Sequence, residues 1–230
     1  MIVFDLDDTL YKEFEYVDSG IQSVAREAEE IGVMSAKDAY DLIKTSPDTA
    51  SGFDRLAAIA LNKDTGKMLD IQRILAVYRY HLPQITLPES HRKLLVKLKN
   101  DGVNLGLITD GRSASQRLKI KALGLDLVIP EENILISSEV GADKHWPNAC
   151  EEMMRRNPGE KNYAYIGDNP QKDFLWPNKL GWTTIMLRDT YHVNIYPQNL
   201  TDLDTDSPYH ARHTVDHLPE ILTILNPSDY

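Results

Sequence analysis

The sequence predicts an α/β fold in which a doubly wound parallel sheet carries an all-helical insert after its first strand. Short continuous apolar runs, typical of strands buried on both faces, recur along the chain, and in its second half they alternate with helical patterns. The stretch from about Val17 to His81, in contrast, holds helix signals and no convincing strand. Strands that alternate with helices imply right-handed crossovers and a parallel sheet covered on both faces, as in Rossmann-like folds.

The first strand is the apolar run Ile2-Val3-Phe4, and the insert follows it. Apolar residues at helical spacing from Val17 to Ile31, followed by Gly32, predict the first helix of the insert. The other predicted helices are one capped by Ser35 with Asp38, one over Phe53–Leu61, and one over Met68–Tyr80 that ends before Pro83. We therefore expect a core formed by residues 1–14 and 85–230, and a helical cap formed by residues 15–84.

The chain returns to the sheet through a helix predicted over Pro88–Asn100, with Gly102 as its stop. The remaining strands are predicted over Val103–Ile108, Ile134–Ile136, Tyr163–Ile166 and Thr183–Leu187. The helices between them are predicted over Ser113–Leu123, Trp146–Arg156 and Asn169–Leu180. The segment from Asp189 to Ser207 is polar and predicted to be irregular, and a last short strand and helix are predicted within His213–Leu225.

Composition narrows the class of protein. A chain of 230 residues can bury a sizeable core as one domain with a smaller insert. A formal net charge of −10 disfavours nucleic acid or an anionic membrane as the main partner. The single cysteine, Cys150, allows no intrachain disulfide and fits a reducing compartment. Without a signal-like start or a long apolar run, we expect a cytoplasmic protein, with its oligomeric state open between a monomer and a weak dimer.

Polar side chains follow the predicted strands at the points where these strands end. The segments are Asp5-Leu6-Asp7-Asp8-Thr9, Thr109-Asp110-Gly111, Asp143-Lys144, and Gly167-Asp168-Asn169-Pro170-Gln171-Lys172-Asp173. In an open parallel sheet, ligands bind in the crevice beyond the carboxyl ends of the strands. We therefore expect these acids, hydroxyls and lysine to converge on one site.

The chemistry of such a site follows from its residue types. Several carboxylates packed together repel one another, and a divalent cation with oxygen ligands, above all Mg²⁺, removes that conflict. An aspartate is a feasible nucleophile for phosphorus, because the acyl phosphate that it forms splits one hard step into two. A second acid two residues along can protonate the leaving oxygen and later deprotonate water. A hydroxyl, backbone N–H groups and an ammonium can hold the phosphoryl oxygens.

These four segments, in this order, resemble the signature motifs of the haloacid dehalogenase superfamily, and the helical insert resembles the cap of many members. The resemblance implies that Asp5 is the nucleophile and Asp7 the general acid/base, whose backbone carbonyl also touches the metal. It implies that Thr109, with the amides of Asp110 and Gly111, holds the phosphoryl oxygens. Lys144 would bridge phosphate and Asp5. Asp168 would bind Mg²⁺ directly, and Asp173 would act through water or by orienting the site.

Within this superfamily, Asp7 and Thr9 favour phosphate esters over carbon–halogen bonds, because an alkoxide leaving group needs a proton. One departure is that His145 follows Lys144 where many relatives have proline. The resemblance implies hydrolysis of a small phosphomonoester such as a sugar phosphate or a nucleotide. A phosphomutase, an idle binding module on the same fold and, with less support, a receiver domain are the alternatives. Asp8 is assigned a structural or solvated role, whereas Tyr11, Lys12 and Glu13 stay open between substrate contact and plain loop.

Overall fold

The chain divides into two units in the computed structural model, which describes residues 1–63, 69–198, 207–226 and 229–230. The larger unit consists of Met1–Phe14 with Thr86–Tyr230, and the smaller one of Glu15–Ile85. The smaller unit is thus a single insertion between two parts of the larger one. No helix in the described ranges is long and apolar enough to cross a lipid bilayer.

The smaller unit is built from helices, as the spacing of its apolar residues predicts. The four helices are α1 (Glu13–Glu30, which begins in the larger unit), α2 (Ala36–Lys44), α3 (Thr49–Asn62) and α4 (Ile71–Tyr80). Ser35 caps α2 as predicted, because its hydroxyl accepts the backbone N–H of Asp38 at 3.1 Å. Asp48 and Asp70 cap α3 and α4 in the same way. The predicted start of the fourth helix at Met68 lies outside the described residues.

The larger unit contains a six-stranded sheet whose strands are short, apolar and buried. They are β1 (Ile2–Phe4), β2 (Leu105–Thr109), β3 (Ile134–Ile136), β4 (Ala164–Gly167), β5 (Thr183–Leu187) and β6 (His213–Val215). The spatial order is β3-β2-β1-β4-β5-β6, and every neighbouring pair is parallel. The predicted doubly wound α/β fold is therefore confirmed. The strand order reverses direction between β1 and β4, where such sheets bind their ligands.

Five helices of the larger unit connect these strands. They are α5 (Glu89–Asn100), α6 (Ser113–Leu123), α7 (Ser137–Val140), α8 (Asn148–Arg156) and α9 (Leu175–Lys179), with 3-10 turns over Leu125–Leu127, Glu131–Asn133 and Leu218–Thr223. Helices α5, α6 and α8 agree with the predicted spans to within two residues, whereas α7 was not predicted.

The helix predicted over Asn169–Leu180 is shorter than predicted, because it forms only over Leu175–Lys179. The preceding residues make a loop instead. The carboxylate of Asp173 accepts the backbone N–H groups of Asp168 and Asn169 at 3.1 and 2.8 Å, and so holds this backbone in a turn. The contact thus fixes the backbone directly after β4.

Candidate functional site

The three central strands deliver the predicted site residues to one edge of the sheet. Asp5 directly follows β1, Thr109 ends β2, and Asp168 directly follows β4. In the register, Phe4 lies opposite Leu107 on one side and Ile166 on the other, so the three strands end within two residues of one another. The backbone N–H of Asp5 donates to the carbonyl of Ile166 at 2.8 Å, which extends the ladder into the site.

Lys144 joins this group from the segment before α8. Its Nζ donates to Oδ1 of Asp5 and, at 2.8 Å, to Oδ1 of Asp173. Its backbone N–H donates to Oδ1 of Asp110 at 3.1 Å, which anchors the loop despite the histidine that follows. Burial alone would lower the pKa of Lys144, but the carboxylates of Asp173 and Asp5 outweigh burial and hold this pKa well above its usual value.

Asp173 is held against the end of β4 by contacts to both of its oxygens. Oδ1 accepts Lys144 and, at 3.3 Å, the hydroxyl of Tyr165, while Oδ2 accepts the two backbone N–H groups of the β4 loop. This approach requires a glycine at position 167, because a Cβ there would lie 2.4 Å from Oδ2 of Asp173. Asp173 therefore ties the β4 loop to Lys144.

The carboxylates of Asp5, Asp168 and Asp173 form a buried cluster in which one oxygen of each lies within 4.8 Å of the others. Burial raises the pKa of Asp168 well above its usual value, and the neighbouring Asp173 and Asp5 raise it further. Burial likewise raises the pKa of Asp5, although Lys144 opposes the shift. Clustered oxygen donors whose charges repel one another are a fitting ligand set for a hard divalent cation such as Mg²⁺.

Asp7 points its side chain to a different set of partners. Oδ1 accepts the hydroxyl of Tyr11 at 2.5 Å and Nζ of Lys119 at 2.7 Å, and Oδ2 accepts the amide of Gln116 at 2.9 Å. The carboxylate of Asp7 is thus fixed by three donors, two of which come from α6.

The segment after β2 was predicted to hold phosphoryl oxygens. Thr109 is buried and accepts the amide of Gln116 at 2.6 Å, whereas the N–H of Gly111 donates to Oγ of Ser137 at 2.9 Å. Gly111 has a φ of 145°, and a Cβ at this position would press on Gln116 at 3.0 Å. In this structure, therefore, the amide of Gly111 already has an acceptor that a phosphoryl oxygen would have to replace.

The residues between Asp8 and Glu13 take several roles. Asp8 is buried with a φ of 60°, and its carboxylate accepts the backbone N–H groups of Glu13 and Ile195 at 3.0 Å each. This agrees with the structural role assigned to it. Tyr11 is buried on Asp7, and the ammonium of Lys12 donates to Oδ1 of Asn194 at 2.5 Å.

A cleft of about 150 Å³ lies over the predicted residues. It is lined by Asp5, Asp7, Asp8, Glu13, Thr109, Asp110, Lys144, Asp168, Asn169, Lys172, Asp173 and Tyr196. A larger cleft of about 610 Å³ shares none of these residues. Both arginines that line it are already paired with acids of the same cleft, since Arg117 pairs with Glu131 and Glu139, and Arg156 with Glu152. The smaller cleft is the candidate active site.

Sequence reasoning missed two groups of residues at this site. Gln116 and Lys119 could have been found from their spacing. They lie on the same stripe of α6 as the apolar Ile120 and Leu123, so the helical period predicts that both polar side chains face the core. Asn194 is different, because the irregular segment after β5 gives no periodic signal. Its amide nevertheless donates to Oδ2 of Asp168 at 2.8 Å.

Comparison with known proteins places this geometry in a family. A glyceraldehyde 3-phosphate phosphatase of Methanocaldococcus jannaschii is 27% identical over 234 residues, which cover 97% of this chain and 96% of that protein. A protein of the same name from Methanopyrus kandleri is 26% identical over 218 residues, covering 90% and 93%. The crystal structure of a HAD phosphatase from Thermococcus onnurineus shares the fold, with a TM-score of 0.60 at 20% identity over 98% of this chain and 97% of that one.

The sequence model of the haloacid dehalogenase-like hydrolase family matches residues 2–187, a range that includes all four predicted motifs. The superfamily predicted from the motifs is therefore confirmed, and with it the class of enzyme. The chain belongs to the haloacid dehalogenase-like hydrolases.

Proposed function

We propose that this hydrolase is a Mg²⁺-dependent phosphatase that cleaves a small phosphomonoester through an aspartyl-phosphate on Asp5. The observation that carries the proposal is the contact of one buried ammonium, that of Lys144, with both Asp5 and Asp173 beside Asp168. This arrangement sets a nucleophile, a positive charge for phosphoryl oxygens and a set of metal ligands in one cleft.

The reaction would proceed in two balanced half-reactions. A carboxylate oxygen of Asp5 attacks phosphorus, the bond from phosphorus to the ester oxygen breaks, and Asp7 gives its proton to the departing oxygen. Asp7 then takes a proton from water while the water oxygen attacks phosphorus. The bond from phosphorus to Asp5 breaks, and inorganic phosphate leaves.

Other residues of the cleft would support both steps. Asp5 and Asp168 would hold Mg²⁺, together with the backbone carbonyl of Asp7 and with Asp173 acting through water or by orienting the site. The bound ion would supply positive charge to the phosphoryl oxygens. Lys144 adds an ammonium on the same side, and Thr109, with the amides of Asp110 and Gly111, would donate to the remaining phosphoryl oxygens.

The class of substrate is a phosphorylated metabolite, and sugar phosphates are the first to test. The curated relatives are named glyceraldehyde 3-phosphate phosphatases, which points to triose phosphates and related sugar phosphates. An acidic protein with a cleft of about 150 Å³ suits a small anion more than a polymer. We also propose that the protein acts in the cytoplasm, where such metabolites are found.

The experiment measures nitrophenol release from p-nitrophenyl phosphate by the wild type and by Asp5→Asn, each with Mg²⁺ and with EDTA. Asp126→Asn, which removes an exposed acid from the same unit, is the matched control. Activity that requires both Asp5 and the metal supports the proposal, and equal activity of Asp5→Asn refutes the assigned nucleophile.

A panel of triose phosphates, hexose phosphates and nucleoside monophosphates then identifies the substrate. Phosphorus NMR of each reaction separates a phosphatase, which yields inorganic phosphate, from a phosphomutase, which returns an isomeric ester. Wild-type protein that turns over neither the nitrophenyl ester nor any member of the panel would contradict the proposal and favour a binding module.

A further inference from the structure

Helix α6 buries two polar side chains on the stripe that faces the sheet. Gln116 is 2% and Lys119 3% exposed, next to the apolar Ile120 and Leu123. A lysine is almost never fully buried without a partner, because removal of its charge from water is costly. A partner must therefore offset the desolvation free energy of Lys119, and the identity of this partner indicates what the lysine does.

The partner of Lys119 is the candidate acid/base. Nζ of Lys119 lies 2.7 Å from Oδ1 of Asp7, and the side chain of Lys119 is only 4% exposed. Glu13 lies at 3.9 Å from the same ammonium, near enough to add attraction but too far for a hydrogen bond. Because Gln116 holds the other oxygen of Asp7, the carboxylate is clamped at both ends by one helix.

Gln116 also connects this clamp to the phosphate-binding segment. Its amide nitrogen has two hydrogens, and the nitrogen lies within bonding distance of both Asp7 and Oγ1 of Thr109. When the hydroxyl of Thr109 accepts one of these hydrogens, its own proton is directed to another acceptor. Helix α6 thus orients two groups: the hydroxyl of Thr109, which would donate to phosphate, and the carboxylate of Asp7, which would transfer the leaving-group proton.

We propose that Lys119 is a positioning residue that holds the carboxylate of Asp7 for proton transfer in both half-reactions, with Gln116 as its companion. This inference rests on the proposed phosphatase function. If the inference is right, loss of Lys119 slows the steps in which Asp7 transfers a proton and leaves the rates of the other steps almost unchanged. A lysine that merely balanced the charge of Asp7 and Glu13 would affect all steps alike through folding.

The test compares two phosphoryl donors that differ in their need for an acid. Acetyl phosphate releases acetate, which needs no proton, whereas an alkyl phosphate such as glycerol 3-phosphate releases an alkoxide that does. Rapid-quench assays measure formation and decay of phosphorylated Asp5 in the wild type, Lys119→Met and Asp7→Asn. Methionine preserves the apolar stem of lysine, so the packing of the buried stripe changes little.

We expect Lys119→Met to form the phosphoenzyme from acetyl phosphate within about threefold of the wild-type rate. It should then accumulate, because its hydrolysis needs Asp7 as a base. Formation from the alkyl phosphate should fall by about 100-fold, the usual size of an acid/base contribution. Asp7→Asn should show the same pattern, and the double variant should lose no more than Asp7→Asn alone.

Lys121→Met is the matched control, since it removes an exposed charge from the same helix and should behave as the wild type with both donors. If Lys119→Met does not fold, Lys119→Gln provides the same comparison. Equal losses with both donors, or a full additional loss in the double variant, would overturn the positioning role. Wild type without any phosphoenzyme would instead refute the proposed function itself, so the two failures are distinct.

Discussion

Replacement of Asp168 by asparagine should stabilise the protein in the absence of metal, although it removes a proposed metal ligand. One oxygen each of Asp5, Asp168 and Asp173 lies within 4.8 Å of the others, and all three side chains are buried. At an effective dielectric constant of about 20, two unit charges at this separation repel by ~3.5 kcal/mol. Asp168 has two acidic neighbours, and Lys144 offsets roughly one of these repulsions.

The repulsion, or the proton uptake by which the folded state relieves it, therefore costs about 3 kcal/mol at neutral pH, and Asp168→Asn should recover this amount in the free energy of unfolding. For a chain of this length, such a gain raises the melting temperature by roughly 6 to 12 °C. The new side chain finds partners in the same place. Its carbonyl oxygen can accept the amide of Asn194, which now donates to Asp168, and its amino group faces the carboxylates of Asp5 and Asp173.

The pH dependence has a definite sign. Burial and its acidic neighbours raise the pKa of Asp168 in the folded state, so folding favours the protonated form of this side chain. Its contribution to stability is fully present below the pKa of the unfolded state, near 4, and is lost as the pH rises through the folded pKa. Metal-free wild type should thus lose stability from pH ~4 upward, and Asp168→Asn should lose less.

Thermal unfolding followed by circular dichroism measures these effects between pH 4 and 9, in EDTA and in excess Mg²⁺. Mg²⁺ should stabilise the wild type, because it binds only the folded state, and should do little for Asp168→Asn. Asp126→Asn, at an exposed site, controls for the change in net charge. If metal-free Asp168→Asn melts at or below the wild-type temperature at pH 7, the calculated repulsion is refuted.

Three further predictions concern the surroundings of this cluster. Gly167→Ala puts a Cβ against Asp173, so it should displace the β4 loop and lower kcat by about 100-fold in a phosphatase assay. Asn194→Ala removes the amide that orients Asp168, and it should weaken Mg²⁺ binding about tenfold in isothermal titration calorimetry. Cys150 is buried, and burial raises its pKa to about 12, so Ellman's reagent should not modify it in the native protein at pH 8.

Each of these predictions has a control within the chain. Gly159→Ala should be silent, because a Cβ there meets no atom within 4 Å. Asn100→Ala removes an exposed amide at the end of α5 and should leave Mg²⁺ affinity unchanged. The thiol of Cys150 should react promptly in guanidinium chloride. Normal activity of Gly167→Ala, unaltered affinity of Asn194→Ala, or rapid labelling of the native thiol would each contradict the corresponding contact.

The sequence allowed the sheet and most of the site to be predicted because both depend on local rules. Buried parallel strands are continuous apolar runs, and parallel neighbours bring their carboxyl ends together, so Asp5, Thr109 and Asp168 were expected to meet. In the structure all three residues line one cleft. Lys144 was expected at the same edge because its segment follows β3, whereas its contact with Asp5 was implied only by the resemblance to a family.

Other features depended on contacts that no local pattern encodes. The helix expected over Asn169–Leu180 forms only over Leu175–Lys179, and the carboxylate of Asp173 instead accepts backbone N–H groups at the start of the β4 loop. Asn194 reaches Asp168 from a segment without periodicity. In each case a side chain binds a polar group that lies outside its own element. Such pairings follow from the assembled tertiary structure, and propensity and spacing do not report them.

The central position of β1 in the sheet determines when the candidate active site can form during synthesis. Ile2 at the start of β1 pairs with Leu105 of β2 and with Ala164 of β4. Asp5, the proposed nucleophile, is therefore synthesised well before the two strands that enclose it. Pairing over such long sequence separations is slow, because the chain loses the conformational entropy of the intervening loop before the stabilising contacts form. A nascent chain that ends before β4 carries Asp5 without Asp168 and Asp173, so the acid cluster can form only after β4 and its loop have been made.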